Sequence, residues 1–130
     1  MSEPLLASLS VGLGAFAGAN ARYLIGLLWD RAVAHPFPGH TLLINVAGSF
    51  LLAFMIGLLD ESLQTNHPLR LLLTVGFCGG FTTFSTFAVE TVDLIRMGNN
   101  LQALIYVTAS VALSILAAII GFWLAGRLVG

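Results

Sequence analysis

An all-α integral membrane protein with four transmembrane helices is the fold this sequence predicts, and three observations predict it. Hydrophobic residues fill 58% of the 130 positions and charged residues only 8%. That composition, with a mean hydropathy of +0.96, lies outside the range of soluble globular chains. Four apolar segments, Leu5 to Leu28, Thr41 to Leu59, Leu69 to Ile95 and Leu101 to Ala125, each reach the roughly 20 residues that cross a bilayer as a helix. The stretches between them are short and rich in polar residues or proline. One four-helix membrane domain over residues 1–130 is expected, without a soluble domain beside it. No repeat, low-complexity tract or coiled-coil pattern competes with this reading.

The first segment is expected to stay in the protein, because Met1, Ser2, Glu3 and Pro4 supply no positive region of the kind that opens a cleavable signal. Gly14, Gly18 and the alanines at 15, 17, 19 and 21 form a small-residue face suited to close helix packing. Asn20 and Arg22 follow. Arg22 has two readings: it snorkels to the membrane surface, or it raises the anion concentration in a vestibule. The connection from Trp29 to His40 carries charges, histidines and prolines and is expected to be a loop. In the second segment Thr41, Asn45 and Ser49 recur at i, i+4 and i+8, on one helix face. A mid-membrane asparagine offers two amide donors without net charge, which suits an anion or a hydrogen bond to another helix equally well.

The third segment contains GFCGGFTTFSTF, from Gly76 to Phe87. Adjacent glycines each cost about 1 kcal/mol against alanine in a helix interior, so the helix is expected to break near Gly79 and Gly80. Irregular backbone at membrane depth persists only where protein or a polar path covers it. Carbonyls ending the first half would lose their partners and face the bundle, where a cation could take them up. Phe84 and Phe87 share a face on the second half, and an aromatic ring has a positive edge that can meet an anion. Thr82, Thr83, Ser85 and Thr86 add donors around them. Glu90 and Asp93 are expected to face water or Arg96, which stands three residues after Asp93. The fourth segment carries Tyr106, Ser110 and Ser114 at i, i+4 and i+8. Such a stripe is either a conduction track or a set of hydroxyls bonded back to their own helix.

Several function classes are excluded. One cysteine, Cys78, forms no intrachain disulfide, and no Cys/His cluster has metal-ligand spacing. No nucleophile and base are paired, and His35, His40 and His67 are all assigned to loops, so no enzyme activity is expected. A nucleic-acid partner is not expected either. Arg70 and Arg127 lie on the side of the termini and Arg22, Arg31 and Arg96 on the other. This weak bias allows insertion in both orientations and, with it, an antiparallel dual-topology homodimer in the lipid bilayer.

The run from Gly76 to Phe87 closely resembles the signature of the fluoride-specific channels of the Fluc/CrcB family. The stretch from Gly14 to Tyr23, the TLLINVAGS stretch from Thr41 to Ser49, and the Tyr106, Ser110, Ser114 stripe agree with it. The resemblance covers all four helices. It implies a multi-pass protein of a bacterial-type cell (inner) membrane that passively exports cytoplasmic fluoride and confers fluoride resistance. It also implies an antiparallel homodimer with two pores. By the same resemblance Phe84 and Phe87 line the pores, Asn45 stands beside the fluoride path, and Tyr106, Ser110 and Ser114 form its polar track. A structural sodium ion at the dimer centre is implied too, held by the backbone carbonyls of Gly79 and Thr82 from both protomers. The chain departs from many relatives at Phe81, where a smaller aliphatic residue is common. Two rivals remain. A small dual-topology multidrug exporter needs a membrane-embedded acid in its first helix, and none stands between Leu5 and Leu28. In a non-transporting assembly subunit, Asn45 and the hydroxyl stripe would serve packing alone.

Overall fold

The computed structural model describes residues 2–33, 37–60 and 63–130. His35, placed in the first connection, lies outside the described residues. Four helical stretches are long and apolar enough to cross a membrane: Glu3–Ala32, Gly39–Leu59, Pro68–Arg96 and Asn100–Val129. They are called the first to fourth helices. Among the described residues there is no strand.

The helices run past the apolar segments that signal them. At 1.5 Å per residue the first and fourth helices, of 30 residues each, measure about 45 Å against a hydrocarbon core of about 30 Å. Their ends therefore lie in the headgroup region or the helices tilt. Asp30 and Arg31 remain helical because backbone hydrogen bonding continues after the side chains have left the apolar core. The second helix likewise starts at Gly39, which places His40 in its first turn and not in a loop.

The third helix is interrupted, but not at its glycines. Gly79 and Gly80 are helical, and the extended residues are Thr82 (φ −78°, ψ 157°) and Thr83 (φ −151°, ψ 116°). The first half, residues 68–81, includes a π-helical stretch, Leu72–Cys78, and the second half is Phe84–Arg96. The glycines serve close approach. A Cβ on Gly80 would lie 2.6 Å from the Ala15 carbonyl oxygen, and one on Gly76 would lie 2.7 Å from that of Val11. Reciprocally, a Cβ on Gly14 or Gly18 would collide with the carbonyl oxygen of Leu72 or Phe77. Two small-xxx-small pairs thus let the first and third helices touch backbone to backbone, the usual driving contact between helices in lipid.

The break coincides with a change of packing partner. The first half of the third helix lies mainly on the first helix, and the second half lies on the fourth. The second and fourth helices also pack extensively on each other. A small core joins them to the third helix: Leu94, Ala103 and Tyr106 are buried, with Phe37, Leu42 and Phe87 packed around them. The turn into the fourth helix is closed by Gly98, at φ +80°. Its N–H donates to Ile95 O and that of Asn99 to Leu94 O, both at 2.9 Å. This double bond pattern needs a left-handed residue, which glycine adopts without steric cost.

The glycine seam makes a direct prediction. Gly14→Ala forces a methyl onto a backbone oxygen and is expected to cost about 1–3 kcal/mol or more, whereas Gly12→Ala meets nothing within 4 Å. Size-exclusion profiles of the two variants in detergent check this. Equal yields of folded protein would show that the seam is not close-packed.

Candidate functional site

Interrupting a helix strands backbone groups on both sides of the gap. Here one side chain takes up the central pair. Asn45 Nδ2 donates to the Thr83 carbonyl at 3.0 Å, and the Thr83 N–H donates to Asn45 Oδ1 at 2.8 Å. The Thr83 hydroxyl then caps the second half, accepting from the Thr86 N–H at 3.2 Å and donating to the Thr86 hydroxyl at 2.9 Å. On the other side, Arg22 Nη1 donates to the Thr82 carbonyl at 3.2 Å. Arg22 sits in mid-helix, and its guanidinium reaches into the bundle and not toward the membrane surface. Gly48, three residues after Asn45, lets the second helix come this near, since a Cβ there would collide with the Thr82 methyl.

Two cavities flank this joint, and Thr83 lines both. A cleft of about 440 Å³ is lined by Arg22, Tyr23, Asp30, His40, Thr41 and Thr86 among others. A groove of about 320 Å³ runs along the other side, lined by Asn45, Ser49, Phe84, Phe87, Ser110 and Ser114 among others. The polar side chains that line the groove are all uncharged. Ser110 is 6% exposed, and its hydroxyl finds no hydrogen-bond partner among the described residues. It does not bond back to its own helix as Ser10, Ser49 and Thr91 do. The rings of Phe84 and Phe87 stand 5.6 Å apart, tilted by 45°, and Phe87 is 5.2 Å from Tyr106. Phe84 is 79% exposed.

A carboxylate completes the arrangement. Glu90 was expected to face water or Arg96, yet it turns inward. Its Oε1 accepts from the Thr41 hydroxyl at 2.9 Å and its Oε2 from the Tyr106 hydroxyl at 2.7 Å. His40 Nε2 lies 3.5 Å from Oε1. The inward turn follows from helix phase: Glu90 is three residues after Phe87, on the face that meets the fourth helix. Asp93 keeps its expected neighbour, with Arg96 Nη1 at 3.6 Å.

No group of three or more His, Cys, Asp and Glu among the described residues is placed to hold a metal ion. Backbone oxygens are a different donor set. The Thr83 N–H, which would serve the Gly79 carbonyl in a continuing helix, is given to Asn45 instead. The Thr82 carbonyl keeps one lone pair beyond its bond to Arg22. These neutral oxygens fit a hard cation such as sodium. Phe81 does not obstruct them, since its ring is buried and stacked on Phe77 at 5.8 Å.

The family description "CrcB-like protein, Camphor Resistance (CrcB)" matches residues 9–122. The chain belongs to the CrcB family. A protein of Chelativorans named fluoride-specific ion channel FluC is 44% identical over 115 residues, covering 88% of this chain and 92% of that protein. Proteins of the same name from Pyrococcus furiosus, 46% identical over 116 residues, and Chlorobium phaeobacteroides, 42% identical over 125, also align over most of their length. The former alignment spans 88% of this chain and 92% of that protein, the latter 96% and 97%. Like these CrcB relatives in length and with four spans of its own, it is a multi-pass membrane protein.

Of the residues singled out from the sequence, the fold brings Asn45, Phe84, Phe87, Ser110 and Ser114 to one groove. Tyr106 adjoins it through Phe87, Arg22 stands in the neighbouring cleft, Gly79 lies just before the break and Thr82 within it. Glu90 and His40 were missed. An acidic residue inside a membrane span is a functional candidate by default, and that rule was the signal for Glu90.

Asn45→Ala leaves the Thr83 N–H and carbonyl unpaired at membrane depth, at about 1–3 kcal/mol for each group. Its thermal unfolding midpoint in detergent is expected to fall by roughly 5 °C or more. Ser49→Ala removes only a bond back to the Asn45 carbonyl and is expected to change the midpoint little. An unchanged midpoint in the Asn45 variant would show that the break does not depend on the amide.

Proposed function

We propose that the protein is a fluoride-selective passive channel that lets cytoplasmic fluoride leave the cell. The observation that carries this reading is the Ser110 hydroxyl, buried and unpartnered in a groove of neutral donors. An unmet donor at membrane depth is costly unless something occupies it, and a small anion that accepts hydrogen bonds is suited to the place. Ser114, the remaining Asn45 amide N–H and the edges of Phe84 and Phe87 would replace part of its hydration at close range. Neutral donors suit passage, because a fixed cation in the narrow part would hold the anion too tightly. Arg22, in the larger cleft, instead concentrates anions before entry. The names borne by the relatives support fluoride as the anion. Fluoride enters as neutral HF and dissociates at cytoplasmic pH, so an inside-negative potential suffices to drive the anion out.

The working unit in this reading is an antiparallel homodimer with two pores. Phe84 stands exposed at the rim of the groove, where a second copy of the chain would close the path against lipid. With Arg22 drawn inside the bundle, the arginines near the membrane surfaces are Arg70 and Arg127 on one side and Arg31 and Arg96 on the other. That balance supports insertion in both orientations. A sodium ion between protomers would rest on the Gly79 and Thr82 carbonyls, where it would supply fixed positive charge and hold the two breaks together.

Liposomes loaded with fluoride or chloride, made permeable to potassium and read with ion-selective electrodes, test the proposal. Rapid loss of fluoride with negligible loss of chloride is expected. Phe84→Ile, Phe87→Ile and Ser110→Ala are each expected to slow fluoride loss by roughly tenfold or more, the equivalent of about 1.4 kcal/mol, with the dimer intact. No flux from folded wild-type dimer would favour a non-transporting subunit, and wild-type flux in the phenylalanine variants would remove the rings from the path.

A further inference from the structure

We propose that His40 is a positioning residue for Glu90, and that its protonation releases the Tyr106 hydroxyl to the anion path. This rests on the channel reading above. The Glu90 carboxylate holds two hydroxyl protons, that of Thr41 on Oε1 and that of Tyr106 on Oε2. While it does so, neither proton is available to an anion. Tyr106 is fully buried and stands one helical turn before Ser110, the unpartnered hydroxyl of the groove. Its hydroxyl is therefore the next donor along the stripe, and it is engaged by a competing anion that belongs to the protein.

His40 is placed to alter that engagement. It lines the 440 Å³ cleft that holds Arg22 and also a second cleft of about 240 Å³ that holds Glu90 and Asp93. Its Nε2 is 3.5 Å from Glu90 Oε1, too long for a good hydrogen bond and short enough for a strong charge interaction. A neutral imidazole at that distance leaves the carboxylate on the two hydroxyls. An imidazolium attracts it, offsets its negative charge and weakens its hold on Tyr106. Both changes favour an anion in the groove, so flux increases as pH falls.

The charged and titratable groups around His40 come from three helices. The first helix presents Arg22, Tyr23, Trp29 and Asp30 to the clefts that His40 lines, and the third helix presents Glu90 and Asp93. The Trp29 ring is 6.5 Å away. On its own helix the neighbour is Thr41, and the fourth helix contributes Tyr106 through Glu90. Histidine is the side chain whose charge ordinarily changes between about pH 5 and 8. The device would raise conduction under acid conditions, when neutral HF is most abundant.

Fluoride efflux from liposomes, at fixed fluoride gradient and equal pH on both sides, tests the proposal from about pH 8 to about pH 5.5. Loss from protein-free liposomes is subtracted. Wild-type flux is expected to rise by roughly threefold or more on acidification. His40→Gln keeps an N–H donor but acquires no charge, and is expected to show a flat profile. His40→Arg carries a permanent charge and is expected to be flat at the higher level. A flat wild-type profile, or a rise in His40→Gln equal to that of wild type, would overturn the proposal while leaving the channel reading standing. Absence of wild-type flux at every pH would remove the channel reading itself.

Discussion

The pair of hydrogen bonds between the Asn45 amide and the Thr83 backbone is the interaction on which the rest of this structure depends. Backbone cannot leave a helix inside a bilayer unless its polar groups find other partners. A side-chain amide sets one of its two N–H donors beside its C=O on a single edge, which a trans peptide does not, and so it meets both polar groups of Thr83 at once. With Thr83 held in this way, the third helix can stop and restart within two residues. The cavities on either side of the joint exist because the chain is extended there.

The restart has a packing consequence. A straight third helix could follow the first helix or the fourth along its whole length, but not each in turn. The glycine seam of Gly14, Gly18, Gly76 and Gly80 draws the first half against the first helix. Phe87 and Leu94 draw the second half against Tyr106 and Ala103. The break at Thr82 and Thr83 is where these two demands meet. Arg22 ties the stranded Thr82 carbonyl to the first helix and Asn45 ties Thr83 to the second, so three helices are fastened at one level of the membrane.

Much of this was legible in the sequence, for reasons that can be given residue by residue. Four apolar stretches announce four crossings, because composition alone decides whether a helix enters lipid. The stripe of Asn45 and Ser49 and that of Ser110 and Ser114 follow from the helical period, and they do meet in one groove. The interruption was foreseen near Gly79 and Gly80 and lies just beyond them, at Thr82 and Thr83. Glycine marks both flexible backbone and close approach, and only the neighbour across the interface distinguishes the two. Glu90 was harder to place. Its position late in the third segment suggested water, whereas the hydroxyls that receive it come from the second and fourth helices. His40 was hidden by its prolines and charges, which resemble a loop although the helix has already begun.

The bond from Arg22 to the Thr82 carbonyl joins residues 60 apart in the chain. During synthesis the first helix emerges long before its partner exists. A guanidinium in mid-span is costly in lipid, so until the third helix arrives it must stay near water or the insertion machinery. Order of assembly is thus written into the same contact that later secures the break. The first helix can settle at its final depth only after the third has been delivered, and release of the bundle into lipid becomes a late event that waits for two-thirds of the chain.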